Sequence, residues 1–161
     1  MAYFEVQTNI LISYTVTSAG YNAKTGTLTV ETGTAYEVEY VTLTTPLPSQ
    51  DTDLWYSGDP GYYGTVKITI PDGVKVLFVG ATVKCREVGE PCYARMESTT
   101  KTWFNIGGED RISAERLIGV TPNKTYSVLI DYESELGAEY GFAFIRYSQR
   151  INNFNPTITD Y

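Results

Sequence analysis

Between Phe4 and Val16 apolar and polar side chains alternate almost one for one. Phe4, Val6, Ile10, Ile12, Tyr14 and Val16 take even positions and Glu5, Gln7, Asn9, Ser13 and Thr15 odd ones, with Thr8 and Leu11 the departures. A period of two sends successive side chains to opposite faces of a pleated strand, whereas a helix needs apolar residues every three or four positions. The alternation returns at Leu28 and Val30, at Tyr36, Val38 and Tyr40, at Val66, Ile68 and Ile70, at Tyr126, Val128, Ile130 and Tyr132, and at Tyr140, Phe142 and Phe144. Turn chemistry separates these runs: SAGYNAKTG, PDG at 71–73, TPNK at 121–124 and SELGA at 134–138. The stretch VKVLFVGATVKC is apolar on both parities, as a central strand of a layered structure should be, and Gly80 within it marks a bulge or a close backbone approach. Residues 93–106 continue as one long bent strand or two, and RISAERLI at 111–118 fits a strand and a two-turn helix equally well. TYSVLIDYE and EYGFAFIRYS, joined by SELGA, read as a β-hairpin. The expectation is an all-β, antiparallel sandwich or barrel of eight or nine strands.

Composition enters where it removes alternatives. The 161 residues hold 14 Tyr and no His, which excludes Ser/His/Asp and Cys/His nucleophile arrangements, HExxH zinc sites and imidazole proton shuttles. The net charge is −7 and the Lys and Arg are scattered, so neither a phosphate backbone nor an anionic membrane has a basic surface to meet. The N-terminal residues alternate and form no continuous apolar core, so they read as a strand of the mature protein and not as a leader, and no stretch approaches a membrane span. No cofactor or metal is expected.

Residues 46–64, PLPSQDTDLWYSGDPGYYG, read as a long loop or linker. They suggest an N-terminal β segment at 1–62 for attachment or oligomerisation, unless it belongs to one single domain, followed by a sandwich at 63–150 and a polar tail at 151–161. The loop also holds the strongest candidate site: Asp51, Asp53 and Asp59 beside Trp55, Tyr56, Tyr62 and Tyr63. Aromatic faces stack on sugar rings and carboxylates accept hydroxyl hydrogen bonds, yet the same residues serve equally to cover an open sandwich end and to make Asx turns. Glu37 and Glu39 are spaced as a glycosidase carboxylate pair would be, but alternating glutamates on a solvated sheet face give the same letters. Cys85 and Cys92 flank REVGEP, which reads as a hairpin connection; a disulfide across it and two reduced, packed thiols are both open.

Two stretches, TVKITIPDGVKVLFV and LIGVTPNKTYSVLI, resemble the immunoglobulin-like and fibronectin-type modules of tail-associated and other virion proteins of phages and prophages of Gram-positive hosts. The resemblance spans about residues 64–148. It implies an immunoglobulin- or fibronectin-like sandwich in which Tyr126 is a structural tyrosine corner, its hydroxyl bonding backbone a few residues upstream. It also implies a non-enzymatic tail, fibre or decoration subunit, located in a virion or outside the cell, whose partners are its own copies or other virion proteins. The alternative is a carbohydrate-binding or adhesion module that meets surface glycans through residues 51–63.

Overall fold

The computed structural model describes residues 9–33 and 40–153. Phe4, Val6, Tyr36, Glu37, Val38 and Glu39, and the tail beyond residue 153, lie outside the described residues. The chain separates into two compact units, Met1–Pro46 and Leu47–Tyr161.

In the first unit β1 (Leu11–Val16) and β2 (Lys24–Thr29) form a two-stranded antiparallel sheet, with Ile12 opposite Leu28 and Tyr14 opposite Gly26. Ile12, Tyr14, Val16 and Leu28 lie on one face, and Tyr14 lies across Gly26, whose missing Cβ leaves the space its ring occupies. Ile10 and Leu11 remain 47% and 68% exposed.

The second unit is a sandwich. Its strands are β3 (Thr52–Ser57), β4 (Tyr62–Thr69), β5 (Val76–Cys85), β6 (Pro91–Ser98), β7 (Lys101–Glu109), β8 (Arg111–Gly119), β9 (Thr125–Ser134) and β10 (Ala138–Tyr147). The front sheet runs β3-β10-β5-β8 and the back sheet β4-β9-β6-β7, all neighbours antiparallel. Among the connections only β6–β7 returns to its own sheet; every other one crosses the gap of about 10 Å between layers. Eight strands in this interleaved order make a double Greek key, the jelly-roll arrangement, rather than the ABED/CFG order of immunoglobulin sandwiches. The β9–β10 hairpin expected from the sequence is therefore an arch between layers, and so is the connection between the cysteines. RISAERLI is a strand, because Ile112, Ala114 and Ile118 must all reach the inner face. The division falls at Pro46 and not near residue 62, since Thr52–Ser57 completes the front sheet by pairing with β10.

The core lies between the sheets: Leu77, Val79, Ala81 and Val83 from β5 face Met96 and Ala94 from β6 and Val128, Ile130 and Tyr132 from β9. Cys85 and Cys92 belong to it, both as free thiols and both buried, one from each sheet. Burial first, then the hydrogen bond to Cys85, pushes the Cys92 thiol up to about 12, which keeps it protonated and unreactive. The Tyr126 hydroxyl accepts the Thr121 N–H at 3.1 Å, tying β9 to the turn that precedes it. The start of the expected polar tail is instead docked: α1 (Gln149–Asn153) buries Ile151, and the Asn152 side chain accepts the Lys75 and Val76 N–H groups at 2.7 and 2.9 Å.

At one end of the sandwich Glu90 joins two arches. Its buried carboxylate accepts the Ser134 hydroxyl and the Leu136 and Glu87 N–H groups. The Ser134 bond first, and then the backbone donors, hold its pKa below the ordinary carboxylate value of 4.5. A folded-state value below the unfolded one stabilises the fold above the unfolded value, and that contribution disappears as pH falls through the folded value. Glu90→Gln should accordingly lower the urea midpoint clearly at pH 7 and by much less at pH 3. An equal difference at both pH values would show that the charge contributes nothing.

Candidate functional site

The strand β10 carries apolar residues on both parities. Ala143 and Ile145 point into the core, while Phe142, Phe144 and Arg146 stand on the outer face of the front sheet. Opposite Phe144 on β5 is Gly80, where a Cβ would lie 2.7 Å from the Phe144 Cζ and 2.9 Å from the Ala114 carbonyl oxygen. The close approach anticipated at Gly80 is thus a ring laid flat on bare backbone, an aromatic covering a strand glycine. Phe78 tilts against Phe144 at 5.1 Å, and Phe142 lies near-parallel to it at 6.4 Å.

Arg146 closes one end of this row. Its guanidinium sits 4.4 Å over the Phe144 ring and 6.0 Å from that of Tyr56, and it pairs with the Asp53 carboxylate. The cation is thereby neutralised locally while its flat face covers the aromatic row. Tyr56, directly opposite Phe144 on β3, stays 53% exposed. The result is a sheet face whose middle is apolar and whose edge is a tyrosine and an ion pair. Such a face can stack and exclude water.

Of the candidate loop residues, only Asp53 and Tyr56 meet on this face. Asp51 pairs with Arg150 at 3.2 Å. Asp59 closes the β3–β4 turn: its N–H donates to the Ser57 Oγ at 3.3 Å. Trp55 and Tyr62 turn inward, their rings 5.1 Å apart, and Tyr62 stacks on Tyr132 at 6.4 Å. Tyr63, 73% exposed, stands on the outer face of the other sheet. Strand alternation from Trp55 to Ser57 and from Tyr62 onward scatters a cluster that is contiguous in the chain. Phe78, Phe142, Phe144 and Arg146 complete the face without having been singled out; the run FAFIR, apolar at both parities before a cation, was the available signal.

Among the described residues no group of three or more Cys, Asp or Glu side chains could hold a metal ion, and no helix is long and apolar enough to cross a membrane. No family model matches the chain, and no curated protein matches it.

Proposed function

We propose that this chain is a non-enzymatic structural protein that builds a larger assembly through its sheet faces, as a tail, fibre or decoration subunit of a phage or prophage virion. The observation that carries this reading is the aromatic outer face of the front sheet. An antiparallel sheet packed on one side ordinarily presents polar side chains on the other. Here Phe78, Phe142 and Phe144 take those positions: Phe144 is itself buried under its neighbours and Arg146, while half-buried Phe78 and Phe142 and exposed Tyr56 leave an aromatic surface beside it, and apolar surface on an outer sheet face marks contact with another macromolecule. The sheet β1–β2 supports the same reading. Two strands are marginal on their own in water, and among the described residues of its unit no second layer covers its apolar side. The virion context rests on the resemblance of two short stretches within residues 64–148, whose implied immunoglobulin strand order the sheets do not follow, and on the fold-level analogy that jelly rolls recur in capsid and lectin domains. Partners are copies of the chain or neighbouring virion proteins; the net charge of −7 speaks against nucleic acid.

Light scattering of the intact protein across a wide concentration range should find a trimer or larger species. Tyr56→Glu combined with Phe142→Glu, which puts two charges onto the face, should shift it to smaller species with an unchanged circular dichroism spectrum. A concentration-independent monomer for the unmodified chain would sink the reading.

A further inference from the structure

Glycine within a strand weakens the strand, so each one asks for a reason. Three glycines of the described residues sit directly opposite an aromatic residue on the neighbouring strand: Gly26 opposite Tyr14, Gly80 opposite Phe144 and Gly107 opposite Tyr93. At Gly26 and Gly80 the ring lies over the glycine and a Cβ would collide with it. At Gly107 it does not. A Cβ there would meet only the Cys92 carbonyl oxygen, at an ordinary 3.7 Å, and the backbone is not left-handed. Its neighbour Gly108 is different, for a Cβ there would come within 2.9 Å of the Ile112 Cγ2. Neither conformation nor packing requires Gly107 to be glycine.

Tyr93 is drawn the other way. Its hydroxyl donates to the Glu133 Oε1 at 2.7 Å on the next strand, and this bond first, with burial second, pushes the phenol's pKa up so that it remains a donor. The space over Gly107 is therefore left as an open groove of about 380 Å³, lined by Pro91, Tyr93, Gly107, Gly108, Glu133 and Glu135. Tyr93 remains 37% exposed along it.

The geometry points to a saccharide-binding site in which one uncharged pyranose unit of a glycan lies over Gly107, its C–H face on the Tyr93 ring and its hydroxyls donating to the Glu133 and Glu135 carboxylates. The ligand must be thin enough to rest on bare backbone, apolar on one face and rich in hydroxyl donors. Aromatic stacking meets the first face, and charge-assisted acceptance by carboxylates meets the hydroxyls. Two glutamates in a chain of net charge −7 disfavour an anionic sugar. The groove opens on the back sheet, away from the aromatic face of the front sheet, so glycan contact and assembly can coexist. This inference does not rest on the assembly reading.

The test is a titration of the intact ¹⁵N-labelled protein with methyl β-glucopyranoside, methyl β-galactopyranoside and methyl N-acetyl-β-glucosaminide, following the Gly107 and Gly108 amides. At least one glycoside should give saturable shifts at these amides and at Tyr93. Gly107→Val fills the slot with a good strand former and should fold at least as well as the parent; it and Tyr93→Ala should weaken binding by about tenfold or more. Silence from all three glycosides overturns the proposal, as do shifts that survive Gly107→Val. Shifts of the same amides by an oligolysine peptide or Ca²⁺, but by no glycoside, would make the groove a cation contact and overturn it equally.

Discussion

Tyr132→Ala should destabilise the sandwich by about 3–5 kcal/mol, the range for removing a large buried aromatic. Tyr132 is fully buried, the largest such side chain among the described residues, and it serves both layers. From β9 in the back sheet its ring stacks under Tyr62, which in turn meets Trp55 of the front sheet. Its hydroxyl lies 3.0 Å from both the Ser57 Oγ and the Asp59 carbonyl oxygen, fastening the β3–β4 arch across the open end of the core. Tyr132→Phe keeps the ring and removes only that fastening, leaving polar atoms at Ser57 and Asp59 without their partner, so it should cost about 1–3 kcal/mol. Urea unfolding followed by Trp55 and Trp103 fluorescence separates the two contributions, provided the denaturant slope stays constant. A phenylalanine variant as stable as the parent would show the hydroxyl to be idle. An alanine variant within about 1 kcal/mol of the parent would place the core elsewhere.

The alternation that makes these strands legible also limits what can be read from them. In TYSVLIDYE the alternating set Tyr126, Val128, Ile130 and Tyr132 is the buried one, whereas in EYGFAFIRYS the alternation of Tyr140, Phe142 and Phe144 marks the outer face and the smaller Ala143 and Ile145 face the core, because a strand apolar on both parities does not say which face is covered. Which sheet each strand joins depends on whether the chain folds back beside itself or steps to the other layer. A connection such as residues 135–137, with Gly137 at a φ of 93°, suits either course. Hence β9 and β10 read as a hairpin and are partners in none, and the Cys85 and Cys92 connection misleads in the same way. The 51–63 stretch failed for a different reason. Its aspartates, its two glycines and Pro60 carry strong turn signals, and these outweigh the short alternation of Trp55, Tyr56 and Ser57 that places β3 in the front sheet. The aromatic face and the Tyr93 groove were least accessible, since each depends on which residue stands opposite which glycine, and register between distant strands leaves no local trace.

Glycine pairs of this kind make the second large effect predictable in sign. Gly141 faces inward on β10 where the β3–β4 arch passes closest; an added Cβ would lie 2.5 Å from the Pro60 carbonyl oxygen, 3.0 Å from its carbon and 3.2 Å from the Asp59 oxygen. All three atoms are backbone, so no side chain can swing aside to make room. The strand cannot retreat either, because β10 is held on both flanks, by β3 through Ala143 opposite Ser57 and by β5 through Gly141 opposite Val83. The arch itself must lift, which pulls the Asp59 carbonyl from the Tyr132 hydroxyl. Gly141→Ala should therefore lose stability toward the upper part of the 1–3 kcal/mol range for overpacking, against the gain of about 0.4–1 kcal/mol that alanine ordinarily brings by restricting the unfolded chain. Gly107→Ala, with only a 3.7 Å contact to accommodate, should keep that gain and match or exceed the parent. Because the Gly141 clash and the Tyr132 hydroxyl act on one arch, the double variant Gly141→Ala, Tyr132→Phe should fall short of the summed single effects by more than about 0.5 kcal/mol. Strict additivity in that cycle would mean that the ring and the strand support the arch separately.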